Sequence, residues 1–149
     1  MTLMESLLKL HLVDANLRGL RSRLDSSERY LAQQERALAA IDERHQELTT
    51  RRMQLQARIA NLENEAGQLD ERIEKFRADL NSASNAKQYQ AVLSEVETVK
   101  SRRREIDELT LGEMESLETL QQQLAELEND REERVKVRDV ARTSRDERA

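Results

Sequence analysis

Three features of the 149-residue chain predict an all-α fold, a long antiparallel coiled-coil helical hairpin with unequal arms. Ala, Glu, Lys, Leu and Arg supply more than half of the sequence, a share typical of long helices when the apolar residues are periodic. Proline is absent, glycine occurs three times and Phe76, Tyr30 and Tyr89 are the only aromatics, which leaves little material for strands or tight turns. Two apolar seams flank one short polar break. Leu, Ile, Val and Phe together make up less than a quarter of the chain, so order has to come from arrangement rather than amount.

The first seam steps alternately three and four residues from Leu10 through Val13, Leu17, Leu20 and Leu24 to Ile73, Phe76 and Leu80. Only Ser27, Gln34, His45 and Arg52 interrupt it over about ten heptads, far more than an amphipathic surface helix needs. This predicts a first helix over residues 1–80, opened by a capping box of Thr2 and Glu5. Asn81-Ser82-Ala83-Ser84-Asn85 follows, five small or polar residues whose side chains compete with helical hydrogen bonding. A loop is expected at 81–85, with Asn85 capping the next helix and Gln88 three positions on.

The second seam runs through Tyr89, Val92, Val96, Val99, Arg103, Ile106, Thr110, Glu113, Leu117, Leu120, Leu124 and Leu127. It weakens at Arg131 and Arg134, with Val135, Val137 and Val140 as an extension. A second helix is expected over 86–140 and a frayed or disordered tail over 141–149. One unbroken helix in a parallel homodimer is the competing arrangement. Folding back in a register where positions sum to 168 or 169 sets Ile73 beside Val96, Leu69 beside Val99, Leu62 beside Ile106 and Leu48 beside Leu120. It also brings Arg52 within one layer of Glu113.

At about 1.5 Å per residue the first arm would span roughly 120 Å and the second roughly 80 Å. The second arm then ends near residue 30 of the first. Leu3, Leu7, Leu10, Val13, Leu17, Leu20 and Leu24 are left without an internal mate, and an apolar strip of that length marks an interaction site. A second copy of the chain, another protein binding helix against helix, and a C-terminal portion beyond Ala149 are the candidates.

The formal charge is −5, with 30 acidic and 25 basic residues interleaved, which argues against a general polyanion binder. Cysteine is absent, excluding disulfides, thiol catalysis and cysteine-ligated zinc within these residues. Glu5, Lys9, His11 and Asp14 break up the leucine-rich start, so neither a secretory segment nor a membrane span can be drawn, and a cytoplasmic location is expected. No glycine-rich phosphate loop and no Ser/His/Asp set at usable spacing is present. The chain is therefore expected not to be an enzyme. Lys100-Ser101-Arg102-Arg103-Arg104 is the one dense basic cluster. Arg102 and Arg104 are its candidate phosphate contacts, against which the register sets Glu63, Glu65 and Asp70 as ion-pair partners. His45, on the seam, is expected to be packed.

The stretch from Asn85 to Lys100, with Asn85, Lys87, Tyr89, Gln90 and Glu95 at its marked positions, resembles the centre of the bacterial C4-type zinc-ribbon family. In that family an Asn-x-Lys-Glu-Tyr-Gln-Ala-Leu-like motif opens the second arm of an N-terminal helical hairpin. Here Gln88 stands for the acidic residue and Val92 for a leucine. The resemblance implies a scaffold or adaptor linked to secretion or transcription. Its alternative is a nucleic-acid-binding protein acting mainly through a zinc ribbon. Zinc is expected only if two Cys-x-x-Cys pairs follow this sequence, so no cofactor is assigned to these residues.

Overall fold

In a computed structural model, which describes residues 2–148, the chain forms two helices packed antiparallel, α1 over Leu3–Asn81 and α2 over Ala86–Arg148. No strand occurs among the described residues. The helix starts follow their caps. The Glu5 amide donates to Thr2 Oγ1 at 3.2 Å and the Thr2 amide to Glu5 Oε2 at 3.4 Å, the reciprocal bonding of a capping box. At α2 the Gln88 amide donates to Asn85 Oδ1 at 2.8 Å, while Gln88 Oε1 accepts from the amide and hydroxyl of Ser84. Between the helices the Ser82 hydroxyl and amide both reach back to carbonyls of the last turn of α1. The reversal uses no cis peptide and, among the described residues, no positive φ. It therefore requires neither proline nor glycine.

The first seam is seated as its spacing dictates. From Leu24 to Leu80 every seam position is buried or half-buried, including the four polar interruptions. In α2 the same holds from Val92 through Leu127, whereas Tyr89 is exposed. The expected frayed tail is helical to Arg148. The reason lies across the interface: Ala141 is small enough to be buried, Arg142 pairs with Glu35 at 3.5 Å, and Arg148 Nη1 donates to Ser27 Oγ at 2.6 Å. The seam is prolonged by Val135, Arg138 and Ala141, while Val137 and Val140 face outward.

Two compact units emerge, each containing part of both helices. The loop unit, 47–124, has an aliphatic core in which Ala66, Leu69, Ile73, Val99 and Ile106 cluster, with Leu62 and Phe76 against them. Ile106 is fully buried, and Arg72 lies over the Phe76 ring, 5.9 Å from its centroid, within cation–π range. In the other unit, residues 2–46 with 125–148, the seam carries polar layers. Gln34 and Ser27 are buried there, and each accepts a hydrogen bond from an α2 arginine, Arg134 at 3.3 Å and Arg148 at 2.6 Å. His45 is half-buried with Nε2 3.7 Å from Glu128.

Candidate functional site

The unmated strip is the strongest candidate, and it is built by continuation of a pattern. Leu10, Val13, Leu17 and Leu20 occupy the same seam that α2 fills farther along α1. With Leu3 and Leu7 their relative exposure runs from 49 to 78 %. Leu24 departs from the expected set: α2 extends to Arg148 rather than ending at 140, and Leu24 is half-buried. The exposed strip is therefore Leu3 to Leu20. Met4, Leu8 and Leu12 add exposed apolar surface outside the seam. The strip's charged neighbours, Glu5, Lys9, Asp14 and Arg18, are exposed as well.

The basic cluster is arranged differently. Arg102 donates to Glu65 at 3.0 and 3.2 Å and to Glu105 at 3.1 Å, and Arg103 donates to Asp70 and Asp107. Of the three acids expected nearby, Glu65 and Asp70 receive these bonds. Hydrogen bonding to Glu65 and then Glu105 holds the Arg102 guanidinium above its ordinary pKa, and bonding to Asp70, then Asp107, does the same for Arg103 against a partial loss of hydration. A charge committed in this way is less available to phosphate. Arg104 donates to Ser101 Oγ at 3.1 Å. The expected neighbour of Arg52 is taken elsewhere, since Glu113 lies 3.6 Å from Arg58. Side chains on a helix tilt toward its N-terminus, which favours partners offset from the backbone register in an antiparallel pair.

Of the motif residues, Asn85 is the helix cap, and Lys87, Tyr89, Gln90 and Glu95 are exposed on the first turns of α2. The motif, Arg102 and Arg104 belong to the loop unit and the strip to the other.

A shallow groove of about 580 Å³ has no counterpart among the expected sites. Ser26, Ser27 and Tyr30 of α1 and Lys136, Val137, Val140, Ala141, Ser144 and Arg148 of α2 line it. Its signal in the sequence is the spacing of Val137 and Val140, three residues apart on one helix flank, which apolar periodicity alone assigns to the seam. No group of three His, Cys, Asp or Glu side chains able to hold a metal occurs among the described residues. No helix is long and apolar enough to cross a membrane among those residues.

A model of the CT398-like coiled coil hairpin domain matches residues 10–149. The chain belongs to that family. The match covers α1 from residue 10 onward, the reversal and α2, so the hairpin is a family property rather than a peculiarity of this chain. Comparison with curated proteins finds no match, and comparison with solved structures finds none. Membership in a coiled-coil hairpin family supports a structural role.

Proposed function

We propose that this hairpin is a non-enzymatic scaffold or adaptor that engages a protein partner helix against helix, through the strip from Leu3 to Leu20. One observation carries the reading: a leucine seam that is covered by α2 from Leu24 onward continues uncovered for more than two heptads. Helix-in-groove and coiled-coil recognition use this kind of surface, and large apolar patches on a protein surface mark such sites. Work in the cytoplasm suits a chain of this composition. The resemblance of residues 85–100 to the zinc-ribbon family supports a role as the helical arm of such an adaptor, in secretion or transcription. These residues themselves do not fit zinc, having no cysteine and, as described, no converging donor set.

Nucleic-acid binding through Arg102 and Arg104 has weaker support, because Arg102 is paired with two carboxylates and the aromatics that stack bases are absent from the cluster. The experiment compares protein capture by the wild-type chain and by a Leu10→Asp, Leu17→Asp variant. Both positions are exposed, so the helical circular dichroism signal should be retained while strip-dependent capture is lost. Capture that is unchanged in the variant would remove the strip from this role.

A further inference from the structure

We propose that the partner helix received by the strip is acidic on one flank and runs on past Leu20 into the groove beside Tyr30, where it packs as a third helix; this rests on the docking reading above and gives it a route and a charge. A second hollow, of about 440 Å³, leads to that groove. Ala15, Asn16, Gly19, Leu20 and Arg23 line it. One heptad farther along α1, the places of Gly19, Leu20 and Arg23 are taken by Ser26, Ser27 and Tyr30, the α1 residues of the groove. Residues seven apart share a side of a coiled-coil helix. The two hollows are therefore consecutive stretches of one flank, about 10 Å apart along the axis, and a single helix can cover both.

The flank suits a helix better than a small molecule. Two packed helices need only their seam, yet Tyr30, Val137 and Val140 lie beside it with 37 to 70 % exposure, which makes the apolar face wider than one neighbour covers. A small-molecule pocket encloses most of its guest. This shallow groove lacks an outer wall, and a third helix brings its own. At Gly19 an added Cβ would meet nothing within 4 Å, so a residue that weakens a helix interior answers no need of the hairpin itself. It leaves room for a neighbour to approach.

Charge selects the neighbour. Arg23 lines the first hollow and Lys136 and Arg148 the second, with no acid in either lining. Elsewhere in the α2 tail Arg131, Arg138, Arg142 and Arg145 each pair with a carboxylate. Among the described residues no such pair forms at Arg23 or Lys136, and Arg148 donates to the Ser27 hydroxyl. Three uncommitted cations along one flank call for carboxylates on the helix that covers them, with a bulky apolar side chain between Tyr30 and Val140. A basic helix would meet like charge at each of them.

Fluorescence anisotropy with two designed helical peptides tests this. Both are about four heptads long, to match residues 3–30, with leucine at the core positions. One carries glutamate at the flanking positions and the other lysine. The acidic peptide should bind the full chain about tenfold more tightly, as several exposed charge contacts acting together would give. The net charge of −5 works against that preference, so it has to come from this flank. Arg23→Glu, Lys136→Glu, which breaks no ion pair within the chain, should abolish the preference, and Val140→Asp should weaken the acidic peptide with helicity retained. Failure of the acidic peptide to bind, equal binding of the two peptides, or a preference indifferent to Arg23 and Lys136 would overturn the proposal. So would a chain that sediments at twice 17.3 kDa and takes up no acidic peptide, since a second copy would then cover the flank. The Leu10→Asp, Leu17→Asp chain separates this from the docking reading. Binding that is blind to peptide charge but lost in that chain leaves the strip as a docking site without this route, and binding unchanged in that chain removes both.

Discussion

The loop unit and the unit holding the chain ends are made from the same two helices and held by different means. In residues 47–124 the fully buried seam residues are all aliphatic, among them Ile59, Ala66, Leu69 and Ile73 of α1 and Val96, Val99 and Ile106 of α2, while the seam's Arg103 and Glu113 stay half-buried in ion pairs with Asp70 and Arg58. Residues 2–46 with 125–148 put Ser27 and Gln34 inside the seam and satisfy them with arginines from α2. Buried polar layers lower stability and penalise slipped registers, in which they lose their partners. The comparison teaches that the loop unit supplies cohesion, while the other supplies alignment close to an exposed strip.

The largest test is Ile106→Ala. It removes three buried carbons from the best-packed position of the loop unit and should cost about 3 kcal/mol, read as a lowered melting temperature. A cost under about 1 kcal/mol would deny that unit its dominance. Next is Asn85→Ala, which deprives the Gln88 amide of its acceptor. About 1 kcal/mol is expected, with faster hydrogen exchange at the first amides of α2. In the other unit Gln34→Leu should raise stability by about 1 kcal/mol, since it replaces a buried amide by a side chain that needs no hydrogen bond while the exposed Arg134 turns to water. A loss instead would show that the Arg134 bond outweighs the burial of the amide.

The smallest effect concerns pH. The hydrogen bond from Arg131 at 2.7 Å holds the Asp42 carboxyl below its ordinary pKa, with the charges of Arg131 and His45 adding to it, against a smaller opposing push from desolvation. A carboxyl whose pKa is lower when folded contributes stability above its unfolded value of about 3.9, and that contribution fades as pH falls through the lowered native value. Asp42→Asn should therefore lower stability slightly at neutral pH, by little because the pair is exposed and water screens it, and the two chains should converge in acid, where the wild-type carboxyl is protonated and its contribution is gone. Acid titration followed by circular dichroism distinguishes the two chains.

Much of this was legible in the sequence because a two-helix pairing depends chiefly on periodicity. The seam from Leu24 to Leu80, the polar break and the caps at Thr2 and Asn85 are local patterns whose consequences are local. What escaped was decided across the interface. The α2 tail looks weak because Arg131, Arg134, Arg138 and Arg142 crowd it, yet those side chains find Asp42, Gln34 and Glu35 on α1 and neighbouring Asp139 on α2. The groove beside Tyr30 exists because Val137 and Val140 lie off the seam, a one-position difference that apolar content alone does not resolve. For the strip, periodicity identifies the members but not the upper limit, since that depends on how far α2 reaches.

The reversal between Asn81 and Ala86 carries one more consequence. Its backbone stays in conformations open to any L-residue, and side-chain and backbone caps define both flanking helix ends, so the connection holds no strained geometry that a longer segment would destroy. Lengthening such a link costs only about 0.6 kcal/mol per doubling. A reporter group or a small folded module spliced between Ala83 and Ser84 should leave the facing leucines in step, which makes this corner the natural place to label the molecule.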